Sequence, residues 1–244
     1  MTTIALPKEV ASFFPYESVR PYQDEFISVV YNAVKERRSV LVEGSNGLGK
    51  TISALSAVLP TAIEKKMKIL YVARTHRQHE RVIEELKAIS KKYSGVAGVS
   101  LRGRNEMCLY KFDQRQHYDA KSLMEVCDML KAKGTCPYYK SADQQSYDYL
   151  SLQQQIGTRS YKASEIMRIC RRKNICPYEL VKSALSDVNV IALSYLYVFD
   201  PDIRTAFLKN LETQLAKVIL IVMKPTICLK PLSTSRAATF PFLS

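Results

Sequence analysis

The chain has 244 residues, 47% of them hydrophobic, and carries 36 Lys and Arg against 23 Asp and Glu, for a net charge of +13. That length fits one large α/β domain or one domain with an insertion, and that composition excludes general disorder. The charge favours a polyanionic partner. No apolar run approaches the roughly 18 residues that span a bilayer, and no signal peptide opens the chain, so a membrane is set aside in favour of nucleic acid handled in the cytoplasm.

Residues 22–37 alternate apolar and charged positions at helical period, with Phe26, Val29, Val30 and Val34 on one face. Val40-Leu41-Val42 reads as a short buried strand. It leads into Gly-Ser-Asn-Gly-Leu-Gly-Lys-Thr at residues 44–51, a complete phosphate-binding loop of the form G-x-x-x-x-G-K-[ST]. Gly44, Gly47 and Gly49 let the backbone turn its N–H groups inward, with Ser45, Asn46 and Leu48 completing the cradle. Lys50 supplies a point charge for the β- and γ-phosphates, and the Thr51 hydroxyl suits Mg²⁺. A glycine-rich turn that binds nothing is the plain alternative; the strand expected before it and the Ala/Leu/Ile-rich helix after it (residues 52–63) favour a nucleoside triphosphate site.

A second buried strand follows at residues 69–73, a charged helix at 76–92, and a third strand at 96–101. This β-α-β-α-β order predicts an α/β fold with a parallel sheet and helices on both faces. The pattern breaks between about Gly103 and Cys176, where Tyr, Gln, Lys and Cys replace sheet-like sequence, so a mainly helical insert is expected. Helices at 177–186 and 203–215 and strands at 188–194 and 218–222 then restore the sheet grammar. The resulting parse is 1–102, an insert at 103–177, a continuation at 178–222, and a tail at 223–244.

The cysteines are Cys108, Cys127, Cys136, Cys170, Cys176 and Cys228. In a reducing compartment they are not expected to pair as disulfides. Their spacing lacks the paired knuckles of a zinc ribbon. Widely spaced thiolates suit a four-cysteine iron–sulfur cluster better, while zinc and incidental buried thiols stay open on spacing alone. Basic residues flank them: Arg102 and Arg104 before Cys108, and Arg168, Arg171, Arg172 and Lys173 before Cys176. Tyr110, Tyr138, Tyr139 and Tyr161 are interleaved, a combination that suits single-stranded nucleic acid, against a reading as a solvated basic face. His76, His79 and His117 read as ordinary surface positions.

Gly103-Arg104-Asn105-Glu106-Met107-Cys108, Cys176-Pro177-Tyr178-Glu179-Leu180, Ser194-Tyr195-Leu196-Tyr197 and Asp200-Pro201 resemble the XPD family of superfamily 2 helicases, most closely its archaeal members. The resemblance runs from about Phe14 to Val222. It implies a RecA-like P-loop domain, ATP and Mg²⁺ at residues 44–51, and Gln23 of Arg20-Pro21-Tyr22-Gln23 as the adenine reader. It places Arg74 and Thr75 of motif Ia against the DNA backbone. The basic flanks of the cysteines add Arg102, Arg104, Arg171, Arg172 and Lys173 as further expected DNA contacts. It assigns Cys108, Cys127, Cys136 and Cys176 to a [4Fe–4S] cluster, leaving Cys170 as a buried apolar thiol. Asn46 stands where relatives commonly carry Thr or Ser. The implied activity is ATP-dependent 5′→3′ unwinding of forked DNA in nucleotide excision repair, by a monomer.

The family's motif II, Asp-Glu-Ala-His, belongs directly after the strand at 218–222, yet the chain continues Met223-Lys224-Pro225-Thr226 and has no acidic residue after Glu212. Shifting the reading frame at the third base of the Val222 codon makes the second new codon GAA, a Glu, and permits Asp before it and Ala-His-Asn-Leu-Pro-Glu after it. The tail is therefore expected to be out of frame. A cluster-bearing fragment that binds nucleotide and single-stranded DNA without turnover is the alternative to an active helicase.

Overall fold

Four short strands organise the molecule, three of them largely buried and the fourth at the rim. The computed structural model describes residues 6–110, 120–140 and 144–223. In chain order the strands are β1 (Lys68–Val72), β2 (Gly98–Ser100), β3 (Val190–Leu193) and β4 (Val218–Val222). They form one parallel sheet in the order β2-β3-β1-β4. Ile69 pairs with Val190 on one side and Ile219 on the other. β1 and β3 are Val/Ile/Leu-rich and fully sandwiched, as parallel strands require.

Strand alternation separates two cores. Leu70 and Val72 of β1, with Ile191 and Leu193 of β3, face one layer. Ile69 and Tyr71, with Val190 and Ala192, face the other. The second layer holds α2 (Gln23–Lys35), α3 (Lys50–Glu64) and α4 (His76–Ile89), through Ile27, Leu55, Ile83 and Leu86. The first layer holds α7 (Tyr147–Thr158), α8 (Ala163–Lys173), α9 (Pro177–Ser183) and α11 (Pro201–Leu211), through Leu152, Ile166, Leu180 and Phe207. Helices from the predicted insert thus cover one face of the sheet. Tyr161 also bridges to Val99 beside β2, and the Lys87–Glu165 pair at 2.6 Å ties α4 to α8. The remaining helices are α1 (Lys8–Ala11), α5 (Arg104–Met107), α6 (Ala120–Ala132) and α10 (Leu196–Phe199).

One predicted strand is absent. Val40-Leu41-Val42 has no regular structure, and Leu41 is 84% exposed. This three-residue run does not join the free edge of the described sheet at β4, so no ladder partner satisfies its backbone groups. The last predicted helix stops earlier than expected, at Leu211, because Glu212 turns left-handed with φ of 50°. His79 is not a surface residue: only 1% of it is exposed, and its Nε2 lies 3.1 Å from the Ala73 carbonyl oxygen. Its i, i+3 and i, i+4 neighbours Val82 and Ile83 are core positions, so the helix turns it inward. His117 and Cys228 lie outside the described residues.

Candidate nucleotide and cysteine sites

The phosphate loop feeds directly into α3, whose first helical residue is Lys50. Gly49 is the N-cap and is left-handed (φ 85°), so no side chain caps the helix, and its first turn carries no acidic residue. The leading N–H groups and the positive end of a 15-residue helix therefore face the loop without a protein anion, which is the physical requirement for holding phosphate. Lys50 Nζ donates to the carbonyls of Gly44 and Ser45, each at 2.8 Å, folding the ammonium back across the loop. Thr51 Oγ1 accepts a 3.3 Å hydrogen bond from the Tyr71 hydroxyl, which leaves a lone pair for a cation. Tyr71 was not singled out by sequence. Burial pushes its phenol up to about 12, so it stays a donor throughout the physiological range.

Gln23 lies behind the loop rather than in front of it. It is 2% exposed, and its Nε2 donates to Ser53 Oγ at 3.0 Å. Its Oε1 accepts from the Arg20 backbone N–H, also at 3.0 Å. Arg20 in turn donates through its guanidinium to the Gly47 carbonyl. The segment Arg20–Gln23 thus braces the phosphate loop from two sides. Its neighbour Tyr22 is 67% exposed and left-handed at φ 64°.

The expected DNA contacts fall into unequal classes. Arg74 and Thr75 sit at the carboxyl end of β1, where open α/β sheets take their ligands. Thr75 serves α4 as its N-cap: its hydroxyl accepts from Gln78 N at 3.3 Å, and Gln78 Oε1 accepts from Thr75 N at 3.1 Å. Arg102 is paired with Glu80 at 2.7 Å and largely covered. Arg104 is paired with Asp128 at 2.7 Å and lies over the Tyr178 ring. Arg171 and Arg172 are exposed at the end of α8, and Lys173 pairs with Asp148.

Cys108, Cys127, Cys136 and Cys176 line one cleft enclosing about 350 Å³, part of it open to solvent. The chain brings them there from the end of α5, the middle of α6, the turn after α6 and the N-cap of α9. Arg104, Lys131, Tyr138, Tyr139 and Tyr178 complete the wall. Burial raises the thiols of Cys108 and Cys127, and pushes Cys176 up to about 11. Among the described residues no three Cys, His, Asp or Glu side chains converge on a point that suits one metal ion. Four thiols without a carboxylate around a common space form a soft donor set, of the kind that takes zinc or an iron–sulfur group. Cys170 is fully buried in the core of the first layer, outside that wall.

Comparison with known proteins matches residues 71–222 to the family described as DEAD_2. The chain is 22% identical over 228 residues to the general transcription and DNA repair factor IIH helicase subunit XPD of Arabidopsis thaliana, covering 85% of this chain and 29% of that protein. It is 23% identical over 242 residues to regulator of telomere elongation helicase 1 of Bos taurus, covering 82% of this chain and 19% of that one. It therefore spans less than a third of either relative. Among solved structures, one titled XPD_Helicase superposes with a TM-score of 0.57 at 23% identity, covering 85% of this chain and 32% of that one. One titled Truncated XPD gives 0.54 at 22% identity, over 82% and 52% respectively. Both share the fold. With more than half of its length matched to the family, the chain belongs to DEAD_2, the XPD type of superfamily 2 helicase.

Proposed function

We propose that the chain is the nucleotide-gripping and strand-parting portion of an ATP-dependent DNA helicase, with 5′→3′ polarity and a role in excision repair. The observation that carries this reading is the uncapped amino end of α3 meeting Lys50 and Thr51 at the phosphate loop. In this reading Lys50 and the N–H groups of residues 44–51 hold the phosphates of ATP, Thr51 ligates Mg²⁺, and Arg20 and Gln23 set the loop's shape. For Gln23 to read adenine, its buried amide would have to exchange its bonds to Ser53 and Arg20 for bonds to the base. Arg74, Thr75 and the exposed Arg171 and Arg172 contact the DNA backbone, with Arg102, Arg104 and Lys173 joining once their carboxylate partners yield. The cysteine cleft takes a [4Fe–4S] cluster, which when bound supplies a rigid cross-link among α5, α6 and α9 rather than electron transfer. The segment at 103–177 acts as the wedge, between helicase-domain pieces at 1–102 and 178–222. The protein works as a monomer in an archaeal cytoplasm. No helix among the described residues is long and apolar enough to cross a membrane.

ATP hydrolysis needs a carboxylate beyond a strand such as β4 to hold Mg²⁺ and orient water. Residues 223–244 contain none. The chain as written is thus read as a binder without turnover, and the coding DNA around Val222 should show Asp-Glu-Ala-His in the shifted frame. A fluorescent ATP analogue should bind, with Lys50→Ala weakening it about ten- to a hundredfold through loss of a charge-assisted contact. DNA-stimulated phosphate release should stay at background until motif II and the rest of the helicase are restored. Unchanged affinity in Lys50→Ala would overturn the assignment.

A further inference from the structure

Lys131 sits in the wall of the cysteine cleft, one helical turn after Cys127 on α6. Its side chain is only 15% exposed, and its ammonium is paired with the Glu179 carboxylate, itself 12% exposed. Glu179 lies on α9, one turn after Cys176. The same ammonium stands 4.5 Å from the centroid of the Tyr139 ring, three residues after Cys136. One cation therefore touches the three segments that carry Cys127, Cys136 and Cys176. Taking this pair out of water carries a desolvation cost that its mutual attraction need not repay, so the pair is a poor choice for stability alone.

The second cation of the wall differs. Arg104 pairs with Asp128, which is 62% exposed, and lies over the Tyr178 ring, so its contacts join α6 and α9, whereas Lys131 also faces Tyr139. Lys131 is shared by three cysteine-bearing segments, through its own place on α6, its pairing with Glu179 and the Tyr139 ring. Four thiolates around iron carry net negative charge into a half-buried cleft, and a covered ammonium at its wall offsets that charge.

We propose that Lys131, clasped by Glu179 and faced by the Tyr139 ring, is the positioning cation of the cysteine cleft, holding its three segments together and setting the potential of the iron–sulfur group bound there. This rests on the cluster reading above. Positive charge near a cluster favours its reduced form, so Lys131→Met makes the midpoint potential more negative, whereas Glu179→Gln, which keeps an acceptor but deletes a negative charge, makes it more positive. A purely structural clasp moves both variants the same way.

The test uses the 244-residue chain reconstituted with iron and sulfide under anaerobic conditions. The midpoint potential is followed by visible absorption, and iron loss to a chelator is timed. Opposite shifts in Lys131→Met and Glu179→Gln, recovery in Lys131→Arg, and iron loss about 10- to 100-fold faster in Lys131→Met are the expected results. Thermal melts of the apo forms identify any variant that fails to fold, for which Lys131→Gln substitutes. Shifts in the same direction, or wild-type potential and retention in Lys131→Met, overturn the proposal. If the wild-type chain takes up no iron at all, the cluster reading falls and this one with it.

Discussion

Gly49→Ala tests how tightly the phosphate loop is braced. Gly49 has φ of 85°, and a Cβ there would lie 2.6 Å from Gln23 Nε2. The left-handed conformation costs an alanine about 1–2 kcal/mol. The clash adds to this, since Gln23 is 2% exposed and has no space to retreat without breaking its bonds to Ser53 Oγ and Arg20 N. At about 1 kcal/mol for each bond the clash contributes about 2 more, giving a total of about 3–4 kcal/mol. For a chain of this size that lowers the melting temperature by about 6–16 °C. Gln23→Ala alone forfeits the same two bonds, about 2 kcal/mol, but also removes the obstacle. The double variant should therefore cost no more than Gly49→Ala, leaving the pair non-additive by about 2 kcal/mol in a urea-denaturation cycle. Strict additivity would show that Gln23 does not support the loop.

Acid should destabilise the chain partly through His79. Burial holds its pKa below the ordinary 6.5. The unfolded chain therefore takes up this proton near pH 6.5 while the folded chain resists it, and stability falls as pH drops below that point, by at most about 1.4 kcal/mol per pH unit. His79→Leu should cost about 1 kcal/mol at pH 7.5 for the lost bond to Ala73 and flatten the decline between pH 6.5 and 5.5. Parallel urea-denaturation profiles for the two proteins would refute this. For the thiols, Cys108→Ser should abolish the yellow-brown colour of the iron-loaded protein, while Cys170→Ser, altering a group outside the cleft, should leave its visible spectrum intact.

The elements legible in sequence were those whose burial has one simple period. β1 and β4 fall within a residue of expectation because Ile69-Leu70-Tyr71-Val72 and Val218-Ile219-Leu220-Ile221-Val222 leave no other reading. Val40-Leu41-Val42 looked the same locally, but a strand is a property of a pair, and the partner is what three residues do not encode. The four cysteines gathered in one cleft although up to 40 positions separate neighbours, which spacing alone left open. His79 is polar, yet its helical phase, shared with Val82 and Ile83, buries it. The Tyr71–Thr51 bond and the Arg20–Gly47 brace join residues 20 and 27 apart, and nothing in either local sequence announces them.

The sheet ends at β4, five apolar residues without a charge or proline among them, and Leu220 is 44% exposed. On its outer side, among the described residues, no strand satisfies its row of amide and carbonyl groups. Natural sheets usually blunt such rims with lysine, proline or a bulge, because a flat apolar rim recruits another chain. Handling of this protein will be governed by that rim: self-association should grow steeply with concentration, and a lysine at Leu220 should improve solubility without touching the phosphate loop or the cysteine cleft.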